Sequence, residues 1–153
     1  MSKAKGKIKV GIIGAGAIAR EQHLPYWQQL EAEGRVEVLG VCDPVKERRE
    51  AEAAKCMQAK PFANYRKMLD AVDFDIIDVC TQNRFHAPAT IAGLEAGANV
   101  LVEKPMAMNT AQCEAMIAAA KSGKRKLMVA QHMRFEPRRS EEHTSELQSL
   151  LII

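Results

Sequence analysis

Four short clusters in this chain carry residue types that could do chemistry, and each follows an apolar, mostly β-branched run. Gly14-x-Gly16-x-x-Ala19 follows Lys7–Ile13, Asp43 follows Val36–Cys42, Thr81-Gln82-Asn83 follows Ile76–Cys80, and Glu103-Lys104-Pro105 follows Val100–Val102. A glycine-rich turn between a strand and a helix can cradle a pyrophosphate. A carboxylate at a strand tip can accept both hydroxyl protons of an adenosine ribose. A lysine held on the same rim can polarise a carbonyl or orient a hydroxyl while a hydride moves.

Each small residue of the first cluster has its own task. Gly14 lets the chain turn sharply out of the strand, Gly16 removes the Cβ that would hold a pyrophosphate away, and Ala19 lets the following helix pack close. The first residues of that helix, Ala17 and Ile18, offer free N–H groups and the positive end of the helix dipole. A plain strand–turn–helix junction and the glycine-rich loop of a methyltransferase compete with the dinucleotide reading. The flanking strand, the spacing and the helix together favour the dinucleotide. Asp43 lies further from Gly14 than the usual offset of about 20 residues, which a long first helix through Glu33 explains. The same Asp43 could cap a helix beginning at Pro44. Its charge repels a 2′-phosphate, so NAD is expected rather than NADP. Arg48 or Arg49 would reverse that preference by pairing with the phosphate.

The elements that must position these clusters alternate along the chain. A helix is expected over Ala17–Glu33, disturbed by Pro25 and ended by Gly34, then a strand over Val36–Cys42 and a helix over Pro44–Met57. Lys60–Phe62 reads as a short strand or turn, and Asn64 starts a short helix to Asp70. A buried strand over Ile76–Cys80 precedes a helix over His86–Ala96, stopped by Gly97. A strand over Asn99–Val102, a helix capped by Asn109 or Thr110 and ending near Gly123, and a strand over Leu127–Ala130 complete the series. Repeated βα units predict an α/β fold with a doubly wound parallel sheet, a single Rossmann domain. In such sheets ligands sit at the carboxyl ends of the strands, which puts Gly14, Asp43, Thr81, Gln82, Asn83, Glu103 and Lys104 on one rim.

Composition narrows the field. The chain has 153 residues, 47% hydrophobic and 27% charged, enough for one domain with a real core. A formal charge of +3 is too small to imply a nucleic-acid partner, and no aromatics interleave with Lys3, Lys5, Lys7 and Lys9. No apolar run approaches membrane-spanning length, and Met1–Gly6 has no apolar signal region. Cys42, Cys56, Cys80 and Cys113 form no Cys-x-x-Cys pair, and Cys42 and Cys80 read as small buried hydrophobes, which fits a reducing cytoplasm. His23 reads as a packing residue, His86 as a structural cap or a cofactor contact, and His132 as exposed. No spacing suggests a metal site. Met106, Met108, Met128 and Met133 read as core or interface filling.

Taken in order, Gly14-x-Gly16-x-x-Ala19, His23-Leu24-Pro25, Asp43, Thr81-x-Asn83-x-x-His86, Glu103-Lys104-Pro105 and Arg134-Phe135-x-Pro137 resemble the glucose–fructose oxidoreductase / inositol dehydrogenase / MocA family. The resemblance covers nearly all of residues 7–137, and Glu-Lys-Pro is its most specific part. It implies that Lys104 is catalytic and orients the substrate, that Glu103 lies by the nicotinamide ribose, and that the Lys104–Pro105 bond is cis or otherwise constrained. Where many members have Thr-Pro-Asn, this chain has Thr81-Gln82-Asn83, which removes a fixed φ. The resemblance further implies a sugar, inositol or related polyol substrate and a homo-oligomeric parent. It also implies a second domain that completes the pocket with an acid and a base. The alternative to this oxidoreductase is a non-catalytic dinucleotide-sensing module.

The segment Arg139–Ser149 resembles, codon for codon, the in-frame translation of a common sequencing-library adapter. Residues 139–153 are therefore expected to be a read-through tail, residues 1–6 a leader, and residues 7–138 the folded domain. A chain so composed is expected to hold a dinucleotide and to lack part of its active site.

Overall fold

Six parallel strands form one sheet, in a computed structural model that describes residues 6–131. They are β1 (Ile8–Ile13), β2 (Val36–Cys42), β3 (Lys60–Phe62), β4 (Ile76–Val79), β5 (Asn99–Glu103) and β6 (Leu127–Ala130). Their order is β3-β2-β1-β4-β5-β6, so the chain winds outward from β1 to one edge and then restarts beside β1 at β4. Helices make the crossovers: α1 (Leu24–Ala32), α2 (Lys46–Ala53), α3 (Tyr65–Ala71), α4 (His86–Glu95) and α5 (Thr110–Gly123). This is the doubly wound Rossmann fold that the alternation predicts. Pro61 is tolerated because β3 lies at the sheet edge.

Both faces of the sheet are covered, and the two-residue period of the strands divides the core into two layers. Val10, Ile12, Val38 and Val41 pack with Leu24, Trp27 and Ala53 under α1 and α2. Ile13, Ile77, Val79, Val100 and Val102 pack with Met68, Leu94, Met116 and Ala120 under α3, α4 and α5. Asp78 alternates with Ile77 and Val79, and Glu103 alternates with Val102. Both acids therefore project from neighbouring strands onto the α1 face.

The first helix carries the disturbance its proline predicts, and the second is shorter than expected at both ends, each for a local reason. The first helical segment runs over 17–32 and is disturbed near Pro25 as expected: a π-helical turn over Ala19–His23 comes directly before Leu24-Pro25 at the start of α1. The wider turn accommodates a residue that has no N–H to donate, and the helix continues past it to Ala32. Pro44 does not open α2. Asp43 Oδ1 accepts the Val45 N–H at 2.8 Å, Val45 is extended, and the helix begins at Lys46. The same helix stops at Ala53 because residues 54–58 form a turn, where the buried Glu31 accepts the Met57 N–H at 2.9 Å. Asn64 and Asn109 cap α3 and α5 through their side-chain oxygens, as their types predict.

The turn out of β1 is packed directly against the backbone that leaves β4. Gly14 has φ +98°, and a Cβ there would lie 2.7 Å from the carbonyl carbon and oxygen of Cys80 and 2.9 Å from Thr81 N. Those neighbours are backbone, so they cannot swing aside. Gly16 differs, since a Cβ there would meet nothing within 4 Å. Gly14→Ala is therefore expected to cost about 2 kcal/mol or more through positive φ and overpacking. Gly16→Ala should stay within about 0.5 kcal/mol of the parent chain. Urea unfolding midpoints of the two variants check this.

Candidate functional site

The carboxyl edge of the sheet gathers the residues that the sequence singles out. At its centre is the crevice between β1 and β4, where the strand order reverses and ligands of open α/β sheets bind. Gly14 donates to Cys42 O at 2.7 Å, and Cys80 donates to Ile13 O at 2.8 Å, which pins the tips of β1, β2 and β4 together. From that base the chain rises into Ala15, Gly16, Ala17 and Ile18, the last two exposed.

Asp43, at the tip of β2, is buried, and its carboxylate already holds two backbone groups. Oδ2 accepts the Ala15 N–H at 2.9 Å and Oδ1 the Val45 N–H at 2.8 Å. The acid thus ties the glycine-rich turn to the start of α2. Each oxygen keeps a further lone pair, so capping and ribose binding are compatible. Arg48 is exposed on α2. Arg49 rather than Arg48 reaches back to the tip of β2, donating to the carbonyls of Asp43 at 3.3 Å and Pro44 at 3.1 Å.

After β4 the rim carries Thr81, Gln82 and Asn83. The Thr81 hydroxyl is buried with no partner among the described residues. Gln82 and Asn83 are exposed, and Asn83 opens a short 3-10 turn to Phe85. His86 is buried at 1% exposure, and its ring nitrogens lie 2.7 Å from Pro105 O and 3.0 Å from Thr81 O. Its ring therefore joins the loops after β4 and β5 beneath the rim instead of facing outward, and Phe85 stands in the helix-capping position.

After β5 come Glu103, buried, and Lys104, exposed, with a cis Lys104–Pro105 bond. Lys104 makes no ion pair among the described residues. Its N–H donates to Glu103 Oε2 at 2.9 Å. The other oxygen, Oε1, lies 2.9 Å from His23 Nε2, and His23 Nδ1 lies 2.9 Å from Asp78 Oδ2. Trp27 Nε1 donates to the same Asp78 oxygen at 2.6 Å. Asp78 is wholly buried. A neutral imidazole has one donor and one lone pair, whereas both His23 nitrogens here face carboxylate oxygens, so the ring fits as an imidazolium. Burial alone would lower the His23 pKa. The hydrogen bonds and negative charges of Asp78 and Glu103 outweigh it and raise the pKa from 6.5 to about 9.

This network corrects the reading of His23 as a mere packing residue. The signal lay in Ile76-Ile77-Asp78-Val79-Cys80, where a carboxylate inside a buried strand demands a charged or hydrogen-bonding partner. Sequence spacing gives no hint of a ligand cluster, yet the fold brings donor atoms of His23, Asp78 and Cys80 within 4.8 Å of one another. These donors are engaged with each other. Burial pushes the Cys80 thiol well above its ordinary pKa, and it donates toward Asp78 Oδ1 at 3.5 Å. Met106 packs against the core and Met108 is exposed. His132, Met133, the Arg134-Phe135-x-Pro137 motif and the 139–153 segment lie outside the described residues, as do residues 1–5.

The fold and rim define a dinucleotide-binding Rossmann domain, and comparison with known proteins agrees. The family model "Oxidoreductase family, NAD-binding Rossmann fold" (GFO_IDH_MocA) matches residues 8–131. The chain belongs to that family and is its NAD-binding domain. It is 36% identical over 128 residues to D-glucoside 3-dehydrogenase of Escherichia coli, a match covering 84% of this chain and 36% of the relative. It is 32% identical over 131 residues to inositol 2-dehydrogenase of Salmonella typhimurium, covering 84% and 38%. The WlbA dehydrogenase of Chromobacterium violaceum, solved with NADH and UDP-GlcNAcA, superposes with a TM-score of 0.75 at 29% identity, covering 86% of this chain and 37% of that one. KijD10, a 3-ketoreductase from Actinomadura kijaniata solved with NADP, gives a TM-score of 0.78 at 29% identity, covering 89% and 42%. The chain thus spans a little over a third of the length of the curated relatives it matches.

The raised His23 pKa has a consequence for stability. Protonation is tighter in the folded state, so the stabilisation is complete below pH 6.5 and lost as pH rises through about 9. The shift corresponds to about 3 kcal/mol. Urea unfolding of the parent chain and of His23→Gln, measured from pH 6 to 10, should converge toward the alkaline end. A gap that stays constant with pH would contradict an imidazolium at this position.

Proposed function

We propose that the whole protein is an NAD-dependent oxidoreductase moving a hydride between nicotinamide and a carbinol carbon of a sugar, inositol or related polyol. One observation carries this reading. The open space over Gly16 and the exposed Lys104 share the carboxyl edge, on either side of the β1–β4 crevice. The residues present fit a dinucleotide. Gly14 makes the turn. Gly16, Ala17 and Ile18 would hold the pyrophosphate, and Asp43 the adenosine ribose. Thr81, with its orphaned hydroxyl, and its neighbours Gln82 and Asn83 would line the path to the nicotinamide half. Glu103 would stand by the nicotinamide ribose, and His86 would support the loop beneath.

When bound, the nicotinamide accepts or gives the hydride. The chain's own part is to place a proton-bearing group beside the substrate oxygen. Lys104 would donate to that oxygen, polarising a carbonyl during reduction, and would relay the hydroxyl proton away during oxidation. The substrate class is supported by relatives named for a glucoside and for inositol. The rest of the pocket, with a further acid and base, would come from the remainder of the whole protein. A reducing cytoplasm is consistent with free Cys42, Cys56, Cys80 and Cys113, and the whole protein would be a homo-oligomer, as the family resemblance implies. No helix among the described residues is long and apolar enough to cross a membrane.

Asp43 favours NAD, because a 2′-phosphate would meet its carboxylate. An exposed Arg48 beside a tethered Arg49 is the feature that would admit NADP. Trp27 is the chain's single tryptophan, and it lies beneath the rim. Its emission therefore reports binding. Titration should give a Kd for NADH about tenfold below that for NADPH, a difference of about 1.4 kcal/mol. Tight S-adenosylmethionine binding without an NADH response would overturn the reading.

A further inference from the structure

We infer that His23 is a positioning residue that bolts the dinucleotide-binding helix to the Glu103–Lys104 tip of β5. The inference rests on the dinucleotide reading above and extends it to a residue outside the rim. The connected chain of contacts runs Trp27–Asp78–His23–Glu103–Lys104. Trp27 Nε1 donates to Asp78 at 2.6 Å, His23 spans Asp78 and Glu103 at 2.9 Å on each side, and the Lys104 N–H donates to the remaining Glu103 oxygen at 2.9 Å. Both oxygens of Glu103 are thereby engaged, one by a side chain of the first crossover and one by the backbone of the lysine itself. The Glu103 side chain is 8% exposed and the His23 side chain 10%, so water cannot replace either contact cheaply.

The geometry makes His23 the only direct polar link, among the described residues, between the helical segment that follows Gly16 and β5. The π-helical turn Ala19–His23 descends from the pyrophosphate cradle, starting at Ala19, which is wholly buried. Arg20 N donates to Gly16 O at 3.0 Å, which couples the turn to the cradle. A shift of that turn is passed through the ring to Glu103, and from Glu103 to the backbone at Lys104. Pyrophosphate position and lysine position are then set together. The titratable groups facing the ring are Asp78 and Cys80 from the β4 side and Glu103 from β5, while α1 adds the neutral Trp27. With two carboxylates and one imidazolium the clamp holds only while the ring keeps both protons.

A positioning role predicts loss at one half of the ligand. ADP probes the pyrophosphate cradle and the Asp43 end without the β5 tip, and NADH probes all of them together. Isothermal titration of the 153-residue chain with both ligands, for the parent and for His23→Gln, separates them. His23→Gln should leave the ADP Kd within about twofold and raise the NADH Kd about tenfold, on the scale of one charge-assisted hydrogen bond. In the parent the NADH-to-ADP affinity ratio should fall as pH rises through 9, and in the variant it should be flat. Trp27→Phe, which keeps His23 but strips one donor from Asp78, should show a smaller loss of the same kind. Parallel loss of ADP and NADH, or no change in either, would overturn the inference and leave His23 a structural residue. A parent chain that binds ADP yet gains nothing from the nicotinamide half would also overturn it. A parent chain that binds neither ligand would instead overturn the dinucleotide reading, and His23 would have no cofactor to position.

Discussion

A carboxylate with no access to water, Asp78, sits in the middle of the sheet, and much of the rim's geometry follows from satisfying it. An isolated buried charge is too costly to keep, so the fold surrounds it with an indole N–H, an imidazolium and a thiol. Those partners come from the first crossover and from the end of β4 itself. The imidazolium in turn recruits Glu103 from β5. One buried charge is thus linked to the helix after the glycine-rich turn and, through His23, to the tip of β5. Removing a single member leaves the others unpaired, which is why such clusters behave as units.

A second constraint acts at the same edge but through sterics. Gly14 turns under the carbonyl of Cys80, so β1 and β4 can close only if position 14 has no side chain. This contact makes the crevice between them narrow at its base and open above, where Gly16 faces empty space. Asp43 then anchors the turn from the other flank by accepting the Ala15 N–H. The glycine-rich turn is held from both sides before any ligand arrives. Its backbone donors are preorganised, which lowers the ordering cost of binding an anion.

How much of this was legible in the sequence depends on whether a signal is local. Strand runs such as Val36–Cys42 and Leu127–Ala130, and caps such as Asn64 and Asn109, are settled by neighbours in sequence, and they appear where the pattern puts them. The parallel sheet follows from the βα rhythm, and the shared rim follows from the sheet. Pro44 misled because Asp43 spends its carboxylate on Val45 and Ala15, an interaction that crosses from the strand tip to the glycine turn. Composition alone does not separate Arg48 from Arg49, since helix phase decides that Arg49 reaches the carbonyls of Asp43 and Pro44 while Arg48 is exposed. The His23 network was invisible because its members are 55 and 80 residues apart, although the acid within β4 was a warning that such a partner existed. His86 was placed on the rim by its position after Asn83 and proved to be a support beneath it.

The proposed function puts the dinucleotide across the β1–β4 crevice at the carboxyl edge. Among the described residues an open concavity of about 420 Å³ lies at the opposite end of the sheet, lined by Leu94, Gly97, Gly123 and Arg125 among others. Amide chemical shifts of the isotopically labelled chain, followed by NMR as NADH is added, distinguish the two ends directly. A dinucleotide in the crevice should give the largest changes at Ala15, Gly16, Ala17, Asp43, Thr81 and Lys104, with Gly97 and Gly123 unmoved. Changes centred on Gly97, Gly123 and Arg125, with the glycine turn silent, would contradict it.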